Sequence, residues 1–469
     1  MKELSDIGLI GLGVMGRSLA LNMEGKGFRV SVYNYIPEVT TAFMKACGED
    51  RNICDTYSYA SLAASLKTPR KLFLMVTAGA AVDQVLDELL PVLHKGDIII
   101  DGGNSHYQDT ARRAKRVEEA GLLYVGTGVS GGEEGALKGP SMMPGGSPAA
   151  WPEVKPIFQK ISAKAPDGTP CCDWIGPGGS GHFVKMVHNG IEYGDIQLIC
   201  ECYQIMRDGL GLGNDEMHGI FADWNRTELD SYLIGITADI LARKDDDGRY
   251  ILDLILDTAG QKGTGKWTVE AALDLGVPLP MIGEAVFARC ISALREERVT
   301  AAQILSGPSP DSSGTQEFTT QLREALLAAK IISYAQGFCL LHSAATEYGW
   351  PLDYGRIAGL WRGGCIIRSV FLDRIKEAYD RNPKLDNIML DKYFSAILNS
   401  AQGSLRAAVC EAARRGIPVP ALSSALSYYD SFRCQRLGAN LLQAQRDLFG
   451  AHTYERIDRP RGEFFHSIW

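Results

Sequence analysis

Apolar residues change their spacing near residue 178, from short strand-like runs to long helical stripes. The chain opens with the apolar run Asp6-Ile7-Gly8-Leu9-Ile10, then Gly11-Leu12-Gly13-Val14-Met15-Gly16. From Arg17 to Gly25 the spacing turns helical and stops at Gly25-Lys26-Gly27. A second strand is expected over Phe28 to Asn34, with others at Lys71 to Val76, Asp97 to Ile100, Leu122 to Gly126 and Cys172 to Ile175. Helical stretches separate most of them, which predicts a mostly parallel, doubly wound α/β sheet of Rossmann type over 1–178. Beyond Gly176-Pro177-Gly178-Gly179, helical patterns run over about 181–207, 214–225, 231–243 and 315–347, predicting a large all-α domain over 179–436. From 437 to 469 the apolar period fades until Phe464, Phe465 and Trp469. That segment reads either as an extended tail docking on another subunit or as a locally folded C-terminus.

Composition narrows the function class. The 469 residues are 45% hydrophobic and 22% charged, as in an ordinary globular protein, so wholesale disorder is excluded. A formal charge of −8 argues against a nucleic-acid binder. No run of about 18 apolar residues appears, so no membrane span is expected. The segment Met1-Lys2-Glu3-Leu4-Ser5-Asp6 carries acids and no small-residue cleavage pattern, so no signal peptide is expected. Eleven cysteines without a C-x-x-C pair suggest free thiols in a cytoplasmic protein, with no metal site.

Gly11-x-Gly13-x-x-Gly16 follows a strand and opens a helix, the context in which backbone N–H groups and a helix N-terminus hold a pyrophosphate. The end of the second strand, Asn34-Tyr35-Ile36, offers neither the carboxylate that favours NAD nor the arginine that favours NADP, so these residues leave the choice open. Asp101-Gly102-Gly103-Asn104-Ser105 sits where ligands bind in such sheets, although a plain turn explains it too. Ser130-Gly131-Gly132 and the glycines of 139–146 suit backbone wrapping an anionic or polyhydroxy ligand.

On a helix over 181–195, Lys185, His188, Asn189 and Glu192 fall at i, i+3, i+4 and i+7, on one face. A lysine and a glutamate two turns apart can reach opposite ends of a short substrate as base and acid, since burial lowers a lysine pKa towards neutrality. A solvated polar face is the competing reading. Lys262, in Gln261-Lys262-Gly263-Thr264-Gly265-Lys266, can hold a phosphate as a point charge. Spacing alone does not join Arg289, Arg446 or His452 to that pocket.

Together, these blocks in this order resemble the decarboxylating 6-phosphogluconate dehydrogenase family over essentially the whole chain; Trp361-Arg362-Gly363-Gly364-Cys365-Ile366-Ile367-Arg368 and Gln443 to His452 complete the set. The resemblance implies oxidation of 6-phosphogluconate at C3, hydride transfer to NADP and release of CO2 to give ribulose 5-phosphate in the pentose phosphate pathway. It casts Lys185 as the base and Glu192 as the acid that protonates C1 of the enediol. It assigns Asn104, Ser130, Gly131, Gly132, His188, Asn189 and Tyr193 to the sugar acid, and Lys262 and Arg289 to its phosphate. Arg446 and His452 would come from the partner of a homodimer, whose tail completes the site. The cofactor cleft would comprise Gly11, Leu12, Gly13, Val14, Met15, Gly16, Asn34, Tyr35, Ile36, Val76, Thr77, Ala78 and Asn104.

Two departures bear on the cofactor. Tyr35 stands where the family usually has arginine, and Thr77 where it usually has lysine. A charge-assisted phosphate contact contributes about 1.5–3 kcal/mol, roughly ten- to hundredfold. Weakened discrimination is therefore expected, with NADP first and NAD admissible. Two other readings are a related β-hydroxyacid dehydrogenase and a dinucleotide-binding regulatory protein without turnover; the latter is disfavoured because Lys185 and Glu192 are both present.

Overall fold

A computed structural model describes residues 3–48, 51–308 and 316–469. Met1 and Lys2 of the N-terminal segment, and the start of the helix expected from 315, lie outside the described residues. Strands β1 (Ile7–Ile10), β2 (Val30–Tyr33), β3 (Ile53–Asp55), β4 (Lys71–Leu74), β5 (Ile98–Asp101), β6 (Leu123–Val129), β7 (Met142–Gly146) and β8 (Gly176–Pro177) form one sheet in the order β3-β2-β1-β4-β5-β6-β7-β8. Neighbours run parallel except β6 and β7, which are antiparallel.

Alternate residues of each central strand feed opposite cores. Ile98 and Ile100 join Phe73 on the face covered by α1 (Val14–Gly25) and, after α2 (Pro37–Cys47), by the later α7. Ile99 joins Leu72 and Leu74 beneath α3 (Tyr59–Ala64), α4 (Ala80–Leu89) and α5 (Tyr107–Glu119). Burial on both faces explains why these strands read as continuous apolar runs. α6 (Gly132–Lys138) and α7 (Trp151–Ile161) complete this region.

The sheet differs from the sequence expectation in three places. β3, only three residues long, carries too little pattern to be read. Cys172 to Ile175 is not a strand: Cys172 makes one isolated bridge to Met142, and Asp173 turns its carboxylate onto the Trp174 N–H at 2.9 Å, leaving β8 to form at 176–177. The glycines of 139–146, expected to wrap a ligand, instead lie largely in the buried strand β7. A Cβ on Gly145 would sit 2.7 Å from the Gly181 nitrogen, so that glycine serves close strand–helix packing.

The rest of the chain is almost entirely helical. α8 (Ser180–Gln204) runs from the sheet into the helical core and packs on β6 and β7. It is followed by a π-helical turn over Ile205–Gly209. Then come α9 (Asn214–Trp224), α10 (Tyr232–Ala242), α11 (Ile251–Leu254), α12 (Thr264–Asp274), α13 (Pro280–Ala293), α14 (Arg295–Ile304) and α15 (Gln316–Tyr348). α16 (Tyr354–Leu360), α17 (Phe371–Arg381), α18 (Lys392–Arg414) and α19 (Pro420–Phe432) enclose α15 with α8. One helix among the described residues, Phe318–Tyr348, is long and apolar enough to cross a membrane by length and composition. Yet 83% of its most apolar window is buried inside the protein. A helix buried on nearly every side is what the centre of a large helical core requires.

The C-terminal segment forms α20 (Ala439–Gly450) and a hairpin of β9 (Tyr454–Glu455) and β10 (Phe464–Phe465). All three are tied to Asp447. Its carboxylate accepts from the Thr453 and Ser467 N–H groups at 3.0 Å, and from His466 Nδ1 and Trp469 Nε1 at 2.9 Å. The segment is thus locally folded, while Leu448, Phe449, Phe464 and Trp469 stay exposed.

Candidate functional site

Two sites lie at the carboxyl ends of the strands, a cleft and a buried side-chain cluster. In the first, the β1–α1 turn divides its glycines by task. Gly11 has φ +98°, and a Cβ there would strike the Met75 carbonyl; a Cβ on Gly16 would strike the Gly11 carbonyl. A Cβ on Gly13 would meet nothing, so that stretch of backbone is open to a ligand. Tight turn, open approach and close packing are the three roles a dinucleotide turn requires. Asn34 braces the turn by accepting the Leu12 N–H at 3.0 Å.

The cleft above has a volume of about 920 Å3. Gly11, Leu12, Gly13, Asn34, Tyr35, Val76 and Thr77 line it. Of the other expected cofactor residues, Val14, Met15, Gly16, Ile36, Ala78 and Asn104 do not. Arg17, Tyr59, Gln84 and Glu88 line it too and were not anticipated. The signal for Arg17 was its place directly after the third glycine. The donor set, an open glycine backbone at a helix start plus one arginine, fits a dinucleotide.

Asn104 projects, exposed, from a loop fixed by Asp101. One Asp101 oxygen accepts from Ser105 Oγ at 2.6 Å and Tyr124 OH at 3.1 Å; the other accepts the Gly103 N–H at 3.1 Å. A Cβ on Gly103 would lie 3.2 Å from the Val76 carbonyl, so this loop borders the loop after β4.

The second site is built on α8. A Cβ on Gly128 of β6 would overlap the Lys185 side chain, so the sheet's glycines let the helix lie close enough to bury that amine. Lys185 Nζ donates to Asn189 Oδ1 at 2.7 Å and lies 3.3 Å from His188 Nδ1. His188 Nε2 is 3.4 Å from Ser130 Oγ, linking the helix to the Ser130-Gly131-Gly132 loop. Glu192 Oε2 is 3.8 Å from His188 Nδ1. Burial and the adjacent Lys185 charge press the His188 pKa well below its ordinary value, so the ring is neutral and this approach is not an ion pair.

Burial lowers the Lys185 pKa, opposed chiefly by the Glu192 charge. Burial raises the Glu192 pKa, opposed by Lys185 and Arg289. Two groups displaced towards each other on one helix face suit acid–base work.

Tyr193 joins the next elements to α8. The Arg289 guanidinium stacks 3.5 Å from its ring, and a Cβ on Gly265 would come within 2.5 Å of it. Arg289 Nη1 also donates to the Gly260 carbonyl at 3.3 Å. The 260–265 loop that carries Lys262 therefore lies beside Tyr193 and Arg289. Arg446 and His452 are not brought here within one chain: Arg446 bonds to Gln443 at 3.1 Å, and His452 packs on Phe449.

Comparison with known proteins agrees along the whole length. Residues 6–176 match the family described as the NAD binding domain of 6-phosphogluconate dehydrogenase, and residues 181–469 its C-terminal domain. The NADP(+)-dependent, decarboxylating 6-phosphogluconate dehydrogenase of Bacillus subtilis is 58% identical, covering 99% of this chain and 98% of that protein. The decarboxylating enzyme of Haemophilus ducreyi is 57% identical, covering 100% and 97%. The Plasmodium falciparum 6-phosphogluconate dehydrogenase, solved as the apo form and with its cofactor NADP+ and substrate 6-phosphogluconate, is 47% identical with a TM-score of 0.94, covering 99% of this chain and all of that one.

Proposed function

The chain belongs to the 6-phosphogluconate dehydrogenase family, and from that premise we propose a division of labour between Lys185 and Glu192. The enzyme oxidises and decarboxylates 6-phosphogluconate to ribulose 5-phosphate with reduction of NADP, the oxidative step of the pentose phosphate pathway. The observation that carries the residue assignment is the convergence on one face of α8 of a buried amine and a mostly buried carboxyl whose pKa values shift towards each other.

In this reading, neutral Lys185 takes the proton of the C3 hydroxyl. NADP supplies the hydride acceptor when bound. As an ammonium, Lys185 then donates to the C3 carbonyl oxygen, drawing electrons from the C1–C2 bond as CO2 leaves. Protonated Glu192 delivers a proton to the enediol carbon that lost the carboxylate, while neutral Lys185 takes back the proton of the adjacent hydroxyl to leave the ketone. Asn189 and His188 hold the Lys185 amine in place, and the Ser130-Gly131-Gly132 backbone, with Asn104 and Tyr193, meets the sugar hydroxyls and carboxylate. Arg289 and Lys262 face the phosphate; the stacking of Arg289 on Tyr193 supports this, since it aims a fixed charge at the far end of the cleft.

We further propose a homodimer in which the tail from 437 brings Arg446 and His452 to the partner's cleft. Its exposed Leu448, Phe449, Phe464 and Trp469, and the exposed Phe287, Ile291 and Ile304 on α13 and α14, support this as apolar surface that a second copy covers. We place the reaction in the cytoplasm, supported by the eleven free cysteines. Incubation with 6-phosphogluconate and NADP tests the whole reading: NADPH and CO2 form in equal amounts, whereas NADPH without CO2 contradicts it.

A further inference from the structure

We infer that Arg17, reaching over from α1, is the residue that selects the 2′-phosphate of the cofactor in this chain. The inference rests on the proposed assignment of the glycine-turn cleft to NADP.

In a sheet of this type, the end of β2 reads the 2′ substituent of the adenosine ribose. Here that end has no cation. Asn34 spends both ends of its amide on backbone: Oδ1 accepts the Leu12 N–H at 3.0 Å, and Nδ2 donates to the Ile36 carbonyl at 3.3 Å. Tyr35 is 78% exposed and uncharged. The start of α2 offers little in exchange, because Pro37 has no N–H and Glu38 already puts a negative charge in the first turn.

Arg17 fills this gap from the first turns of α1. Its Nε donates to the Leu12 carbonyl at 2.8 Å. The Leu12 residue is thereby held from both sides, by Asn34 on its N–H and by Arg17 on its carbonyl. Arg17 lines the same cleft as Asn34 and Tyr35. Among the described residues that line the cleft, Arg17 is the only cation, and Glu88 is the only acid. A guanidinium has five N–H donors. Arg17 uses one on Leu12, and among the described residues its Nη1 and Nη2 have no hydrogen-bond partner. They form an oriented, solvated fork that suits a phosphate dianion. The charge missing after Asn34 is thus supplied from the first turns of α1.

The test is equilibrium binding of 2′,5′-ADP and of 5′-AMP by calorimetry, which isolates the 2′-phosphate from turnover. The protein binds 2′,5′-ADP more tightly, by roughly ten- to hundredfold for one charge-assisted contact. Arg17→Gln collapses that ratio towards one, chiefly by weakening 2′,5′-ADP. Arg17→Lys, which keeps the charge but not the fork, retains part of it. Three results overturn the inference: an undiminished ratio in Arg17→Gln, equal weakening of both nucleotides, or no preference in the unaltered protein. Failure of the unaltered protein to bind either nucleotide overturns it differently, by removing the cofactor cleft on which it rests.

Discussion

Lys185 Nζ donates a 2.7 Å hydrogen bond to Oδ1 of Asn189, one helical turn along α8. The bond fixes the amine and leaves it titratable, because its acceptor is neutral. Burial lowers the Lys185 pKa and raises that of Glu192, so the two limbs of a pH–rate profile lie closer together than the ordinary values of 10.5 and 4.5. The signs are fixed by charge. Glu192 stabilises the Lys185 ammonium, so Glu192→Gln moves the lysine limb to lower pH. It also removes the glutamate limb. Profiles of kcat/KM for both proteins check this; an unchanged profile contradicts the coupling.

Among the described residues, Arg446 hydrogen-bonds only to Gln443 within its own chain. If it serves the partner's cleft, Arg446→Ala raises the KM for 6-phosphogluconate by roughly ten- to hundredfold, the loss of one charge-assisted contact. A mixed dimer of Arg446→Ala with Lys185→Ala then assembles one impaired pair of residues in one cleft and one intact pair in the other. Half the activity of the unaltered dimer is expected; no recovered activity contradicts the shared site.

Lys330 and Asp195 form a 2.9 Å ion pair with side chains only 2% and 1% exposed, between α15 and α8. Removing one member leaves the other buried and uncompensated, at a cost of about 3–5 kcal/mol. Lys330→Met therefore lowers the denaturation midpoint strongly, and the double change Lys330→Met with Asp195→Leu recovers part of the loss. Urea denaturation of the three variants reads this; a single variant as stable as the parent contradicts it.

Asp447 is the knot of the tail. Desolvation alone would raise its pKa, but hydrogen bonds from Ser467, His466 and Trp469 outweigh it and hold the group at about 2. Its ordinary value is 3.8, so its contribution is complete above that pH and is lost as pH falls through about 2. Asp447→Asn weakens the same bonds at neutral pH. Hydrogen exchange of the Thr453 and Ser467 amides accelerates in the variant; unchanged protection contradicts the anchoring role.

How much of this was legible in the sequence depended on whether a local pattern carried the signal. The glycine turn, the helical face of Lys185 to Glu192 and the central strands were readable, because periodicity alone fixes which residues share a face. β7 was not, since its glycines answer to α8 lying against them, a tertiary demand with the same local look as a loop. The segment 172–175 looked like a strand until Asp173 bonded its own neighbour. The apolar α15 hid from a run-length test because polar residues interrupt it; Lys330 is paired with Asp195, 135 residues away. Arg17 was overlooked because the motif draws attention to the end of β2, whereas the cleft's cation comes from across the turn.

The central claim is that Lys185 and Glu192 act at successive steps on one bound substrate. Rapid-mixing measurement of NADPH and ribulose 5-phosphate with Lys185→Ala and Glu192→Ala tests it most directly. Each general acid–base contribution is worth about 10²–10⁴-fold. The account predicts that Lys185→Ala slows NADPH formation itself by that order, while Glu192→Ala forms NADPH first and lags in ribulose 5-phosphate. NADPH formation at the parent rate in Lys185→Ala, or no lag in Glu192→Ala, would contradict it.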